Sequence, residues 1–212
     1  MNTTQLHDLT LEQFLALPER ETAFELVDGR AIAKVSPKYF HSSLQKTLLR
    51  LIEICCQGKG RILPEWAVIL QRNGKDWVPT PDLTYVSYDR LPKQWKRNEA
   101  CPVPCTLAIE IVSLGQGLEY VQPSTDYAEE GDTFRGDIKA GRILSPNLKG
   151  QTFAEFEEKA RDYLNAGCDR VWVVEPEAAI LTAFFPSGER VVYEGDRPIV
   201  DELLPGFSLS IV

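Results

Sequence analysis

The order of elements written into the chain predicts an α/β or α+β domain built on a mixed central β-sheet. Three observations predict it. The apolar run CTLAIEIVS, residues 105–113, reads as a strand covered on both faces. The segment TFAEFEEKARDYLNAG is an amphipathic helix: Thr152 and Glu155 form a capping box, Phe153, Phe156, Ala160 and Tyr163 make an apolar stripe, and Gly167 stops it. After it come three short β-branched and aromatic runs, RVWVVEP, ILTAFF and RVVYEG, punctuated at Pro176 and at Pro186-Ser187-Gly188.

From the N-terminus, LTLEQFLALPE reads as a short helix capped by Thr10, with Leu11, Phe14 and Leu15 on one face. AFELVDGRAIAKV follows. Its Asp28-Gly29 pair between apolar segments predicts a hairpin, with Glu25 on the first strand. Pro37 opens a longer helix to about Cys56, because Leu44, Leu48, Leu51, Ile52 and Cys55 recur at helical spacing; His41 lies in its first turn. RILPEWAVIL reads as one strand, Asn73–Pro81 as a turn region, and Asp82–Ser87 as the next strand. A loop rich in Pro, Lys and Arg spans 89–104, residues 114–150 are irregular, and FSLSIV reads as a last strand.

A length of 212 residues favours one domain and is enough to bury a sizeable core. A net charge of −8 is not that of a protein that coats nucleic acid through bulk charge, though it leaves room for a local basic face. Five cysteines without a CxxC pair, and only two histidines, argue against a structural zinc or a disulfide framework and suit a reducing cytoplasm. No signal peptide is evident at the start, and no apolar run approaches the ~20 residues of a membrane span.

The chemistry is carried by acids in apolar places. Asp82 follows Pro79-Thr80-Pro81 at the mouth of a strand, and Glu110 sits inside an apolar one. If the two strands are neighbours, both carboxylates point at one spot and suit Mg²⁺, a hard cation that takes one or two carboxylates and keeps several waters. Hydrolysis also needs a cation near the developing charge. Val112, two residues after Glu110, does not supply one; Lys159, at one margin of the apolar helix stripe, does if that helix packs beside the Glu110 strand. Glu157 occupies the other margin, so periodicity alone does not choose between them. Taken singly, Asp82 also reads as a cap or turn device, Glu110 as half of a structural salt bridge, and Lys159 as a solvated residue. The stretch RLPKQWKRN places Arg90, Lys93, Lys96 and Arg97 around Trp95 with no acid, which reads either as a phosphate-tracking loop with a stacking tryptophan or as an ordinary solvated loop.

Pro81-Asp82, then Glu110 within AIEIVS, then Lys159 within FEEKARDYLNAGCDRVWVVEPE resembles the PD-(D/E)XK nuclease superfamily, and within it the Uma-type restriction endonuclease family; FELVDGR and the His41-bearing helix fit the same family. The resemblance covers about residues 10–113 and 146–212. It implies a restriction-endonuclease-like fold and a DNA endonuclease dependent on Mg²⁺, with Mn²⁺ as the alternative ion. Asp82 and Glu110 would be metal ligands, and Lys159 would be the catalytic lysine, moved from its usual strand position to the helix. Glu25 would be an additional acid, with His41 a weaker candidate. Cutting both strands of DNA needs two sites, which a homodimer supplies. The family passes from the acid strand to the lysine helix by a short connection. Here residues 114–145 intervene as an insert, flap or partly disordered excursion, and the pair AIEIVS and AGRILS reads as a strand ending written twice, with Arg142 where the first copy has its acid. The competing expectation is a catalytically inert protein of the same fold that serves as a binding or scaffold module.

Overall fold

In a computed structural model, residues 9–17, 23–34, 36–112 and 153–210 are described. The expected insert at 114–145 and the Thr152 cap lie outside them.

A six-stranded mixed sheet carries the fold. Its order is β10-β9-β8-β7-β6-β3, formed by β3 (Gly60–Pro64), β6 (Leu83–Ser87), β7 (Leu107–Ile111), β8 (Arg170–Glu175), β9 (Ile180–Phe184) and β10 (Arg190–Glu194). Only β7 and β8 are parallel. A parallel pair needs a crossover, and the helix α3 (Phe153–Asn165) lies between them in the chain. Side chains alternate across the sheet. Leu83, Tyr85, Leu107, Ile109, Ile111, Trp172 and Val174 face one side and pack with Leu48 and Ile52 of α2 (Tyr39–Cys55). Ala108, Val112, Val171 and Val173 face the other and pack with Phe156, Ala160 and Tyr163 of α3. Both faces are therefore covered, as the near-continuous apolar strand 105–113 requires.

The first helix, α1 (Leu11–Leu15), carries the expected Thr10 cap, closed as a box by Gln13. The hairpin of β1 (Phe24–Val27) and β2 (Arg30–Ala33) turns at Asp28 and Gly29, both at positive φ (50° and 76°), the geometry the Asp-Gly pair favours. Gly60 is required by a close approach: a Cβ there would meet the Tyr85 ring and lie 2.6 Å from the Val86 carbonyl oxygen.

Four boundaries differ from the sequence expectation. RILPEWAVIL is not one strand: it breaks at Glu65, which has φ 49°, into β3 and the separate β4 (Leu70–Arg72). The region read as a turn holds β5 (Lys75–Trp77), paired to β4 through Asn73-Gly74 at positive φ. Helix α2 begins at Tyr39 rather than at Pro37, and its N-cap Lys38 makes no side-chain cap bond. The tail forms only a bridge between Leu209 and Ile199 among the described residues, too short to count as a strand.

Candidate active site

The segment VPTPD, residues 78–82, is buried although it lies outside the main ladder. Two of its five residues are prolines, which bring no N–H to satisfy. Its remaining polar groups are clamped one by one. Val78 exchanges backbone bonds with Leu26 of β1, the Pro79 carbonyl accepts from Val68, and the Asp82 carbonyl accepts from the Glu65 N–H and from Gln45 Nε2. The Thr80 N–H donates to Glu25 Oε1 at 3.0 Å, and its carbonyl accepts from Lys34 Nζ at 2.8 Å. The clamping holds the β1–β2 hairpin and the first turns of α2 against the mouth of β6.

At that mouth the two acids meet. Leu83 of β6 pairs with Ile109 of β7, so one further antiparallel step sets Asp82 across from Glu110. Opposed residues point to the same face with Cβ atoms ~5 Å apart. That face is the one α3 covers, and Val112 shares it by strand alternation. Lys159 reaches the spot from α3, with Nζ 3.0 Å from Glu110 Oε1 and 2.9 Å from Glu25 Oε1. Tyr163, one helical turn on, donates its hydroxyl to Glu110 Oε1 at 2.7 Å. On the Asp82 side, Oδ1 takes Lys34 Nζ at 3.1 Å, while Oδ2 takes His41 Nε2 at 3.0 Å and the Ile111 N–H at 2.7 Å. Lys34 also pairs with Glu65 at 2.7 Å. Asp82 and Glu110 are only 5% and 4% exposed.

The electrostatics of the two acids diverge. Burial opposes ionisation of Asp82, yet the His41 hydrogen bond, the Lys34 ammonium and the Ile111 N–H outweigh it and hold the carboxyl at about 2. Burial dominates at Glu110, and with Asp82 and Glu25 nearby it pushes that carboxyl up to about 7 despite Lys159. Burial alone would lower Lys159, but Glu110 and Glu25 drive it above the ordinary lysine range, so the group stays an ammonium. Burial and the same two acids raise Tyr163, which stays a phenol that donates.

Among the described residues no three His, Cys, Asp or Glu side chains are grouped as a metal cage. Two carboxylates such as Asp82 and Glu110 would fit a hard divalent ion. Mg²⁺ is held by one or two carboxylates, with water and phosphate oxygens completing its shell. Glu110 and Glu25 use only Oε1 for Lys159, Tyr163 and Thr80, which leaves both Oε2 atoms without a protein partner among the described residues. Four carboxylates, Glu25, Glu65, Asp82 and Glu110, surround two ammonium groups, Lys34 and Lys159. With every acid ionised, that count leaves a charge of −2, which a divalent cation offsets.

The structure thus brings Glu25, Asp82, Glu110, Lys159 and His41 together. It places the four basic loop residues elsewhere, since their loop leaves from the other end of β6, ~17 Å along the strand from Asp82. Arg90 there donates to the carbonyls of Pro104 and Gly167 and pairs with Asp169. Lys93 lies over the Tyr88 ring, Lys96 is exposed, and Arg97 is 3.9 Å from Glu99. Trp95 packs on Trp66 and lies near the Arg61 guanidinium. Glu157, the other margin of the helix stripe, pairs with Arg161 and Arg190 away from the acids. Sequence reasoning missed Lys34, Gln45, Glu65 and Tyr163. Only Tyr163 had a signal, since it lies four residues after Lys159 and so on the same helix face.

The mixed sheet with helices on its faces is a restriction-endonuclease-like fold, and in it two acids from adjacent strands converge beside a lysine. The chain belongs to the Uma2 family, described as "Putative restriction endonuclease", which matches residues 11–132, more than half of its length. Its fold is similar to that of a crystal structure described as "a putative nuclease belonging to DUF820" from Anabaena variabilis, with a TM-score of 0.69 and 21% identity over 96% of this chain and 95% of that one. No curated protein matches the sequence. Among the described residues no helix is long and apolar enough to cross a membrane.

Proposed function

We propose that the protein is a Mg²⁺- or Mn²⁺-dependent endonuclease that hydrolyses phosphodiester bonds in DNA. The observation that supports it most is the convergence of Asp82, Glu110 and Lys159 on one face of the sheet, with the lysine 3.0 Å from Glu110. Asp82 and Glu110 would hold the ion. When bound, it would polarise the phosphodiester and lower the pKa of a coordinated water. His41 and the Ile111 N–H hold the Asp82 carboxylate in one orientation. Glu25 fixes the Lys159 amine against Glu110. An ammonium donates but does not accept a proton, so Lys159 orients the attacking water and stabilises the charge that develops on the phosphate oxygens. Glu25 also accepts from the Thr80 N–H, so one carboxylate links the hairpin, the strand mouth and α3.

The test is cleavage of plasmid and short duplex DNA in Mg²⁺, Mn²⁺ or chelator. Wild type should cut only with metal, and Asp82→Ala should not cut although its circular dichroism is unchanged. Normal cutting by that variant removes Asp82 from the mechanism. One observation favours the inert binding module: both Asp82 oxygens already have protein partners. That reading predicts no calorimetric response to either ion.

A further inference from the structure

The two oxygens of Asp82 are held in different ways. Oδ2 accepts from the Ile111 N–H and from His41 Nε2, a buried strand amide and a buried ring that packing keeps in place. Oδ1 has a single partner among the described residues, the Lys34 ammonium at 3.1 Å. Lys34 directly follows β2, and all three of its donors end on oxygens: Asp82 Oδ1, Glu65 Oε2 at 2.7 Å and the Thr80 carbonyl at 2.8 Å. Two carboxylates and a backbone carbonyl are a set that a hard divalent ion also takes. Burial alone would lower the Lys34 amine, but Asp82, Glu110 and Glu65 outweigh it, so the group is charged and feels both acids of the candidate site. Lys159 differs, since it uses only Oε1 of Glu110 and of Glu25. The other anchor of Lys34 lies toward the surface: the Glu65 side chain is 39% exposed, and Gln45 Nε2 holds its Oε1 at 3.1 Å.

We infer that Lys34 is a built-in competitor for the cation: its ammonium holds the one Asp82 oxygen not already fixed by packed donors, and it gives up Oδ1 for Glu65 and solvent when a divalent ion binds. The inference rests on the metal-site reading and adds the residue that sets the affinity of that site. It also accounts for the observation that favours the inert module. Asp82 is fully partnered, but one partner is itself a cation that can be displaced. Two cations on one carboxylate oxygen repel each other, strongly where water is scarce. Lysine suits the role because its charge is compact and sits on a flexible four-carbon stem. Glu65 keeps the ammonium paired once it has left Asp82.

The experiment titrates Mn²⁺ calorimetrically into the wild type, Lys34→Met, Glu65→Gln and the double variant. Lys34→Met should bind about tenfold more tightly than the wild type. Glu65→Gln should bind more weakly, because Asp82 is then the only carboxylate that Lys34 bonds, and most of that loss should vanish in the Lys34→Met background. Unchanged or weaker binding by a folded Lys34→Met overturns the inference and leaves the metal site standing. An equal loss from Glu65→Gln in both backgrounds also overturns it and makes Glu65 a ligand instead. Absence of uptake by both the wild type and Lys34→Met removes the metal site and the competitor with it. A second measurement needs no variant: reductive methylation of the wild type, read by mass spectrometry with exposed Lys96 as the reference. Saturating Mn²⁺ should speed labelling of Lys34 roughly threefold, since an amine released from a carboxylate loses its proton more readily. Labelling of Lys34 that the ion leaves unchanged or slows overturns the inference.

Discussion

Glu110 should make the metal-free protein less stable as pH rises, and Glu110→Gln should abolish that loss. Its carboxyl titrates near 4.5 in the unfolded chain and at about 7 in the fold, because burial next to Asp82 and Glu25 outweighs the attraction of Lys159. A carboxyl raised on folding binds its proton more tightly in the native state. Its contribution is therefore most favourable below the unfolded value and is lost as pH climbs through the folded one. Between about pH 5 and pH 8 the loss is roughly 2–3 kcal/mol. For a chain of this length that is on the order of 5–10 °C in melting temperature. Glutamine keeps an oxygen for the Tyr163 hydroxyl and the Lys159 ammonium but has no proton to lose. Urea unfolding of both proteins in chelator, at several pH values, gives the difference curve. It should rise with pH in favour of the variant and flatten above about 7. Parallel curves would refute the reasoning, because Glu110 would then not be held in a site that disfavours its charge.

Asp82 should act in the opposite direction on the acid limb: held at about 2 by His41, Lys34 and Ile111 against the cost of burial, it contributes ~2 kcal/mol at neutral pH that is lost as pH falls from 3.8 through 2, and Asp82→Asn should remove that part of the acid unfolding curve. Lys159→Met leaves Glu25 and Glu110 buried without their cation and should destabilise by ~3–5 kcal/mol, while adding Glu110→Gln should recover part of the loss in a thermal-melt comparison. Gly60→Ala forces a methyl against the Tyr85 ring and the Val86 carbonyl and should cost ~1–3 kcal/mol in urea unfolding without changing metal affinity, since Gly60 is paired with Ser87 at the other end of β6 from Asp82.

The convergence was legible in sequence because strand order and alternation are. An acid after Pro81 and an acid inside AIEIVS face each other once the two strands pair antiparallel, and the structure pairs them. The lysine was the harder inference. Val112 and α3 share a face of the sheet, so the strand position and the helix position address the same volume, and a helix residue can occupy the place a strand residue usually takes. Periodicity could not choose Lys159 over Glu157, and tertiary packing did: Arg190 of β10 and Arg161 draw Glu157 aside. Lys34 and Glu65 carried no signal, because each lies at the end of a short strand and is brought in by a hairpin and a backbone break at Glu65. The same break explains the misread strand at 61–70, whose apolar pattern runs on through a left-handed residue that only the fold imposes.

Titration calorimetry of Mn²⁺ into the wild type, Asp82→Ala and Glu110→Gln tests the shared ligand role most directly. One ion per chain for the wild type and none for either variant is the expected result. An affinity that neither substitution alters, or a wild type that takes up no ion, would contradict it.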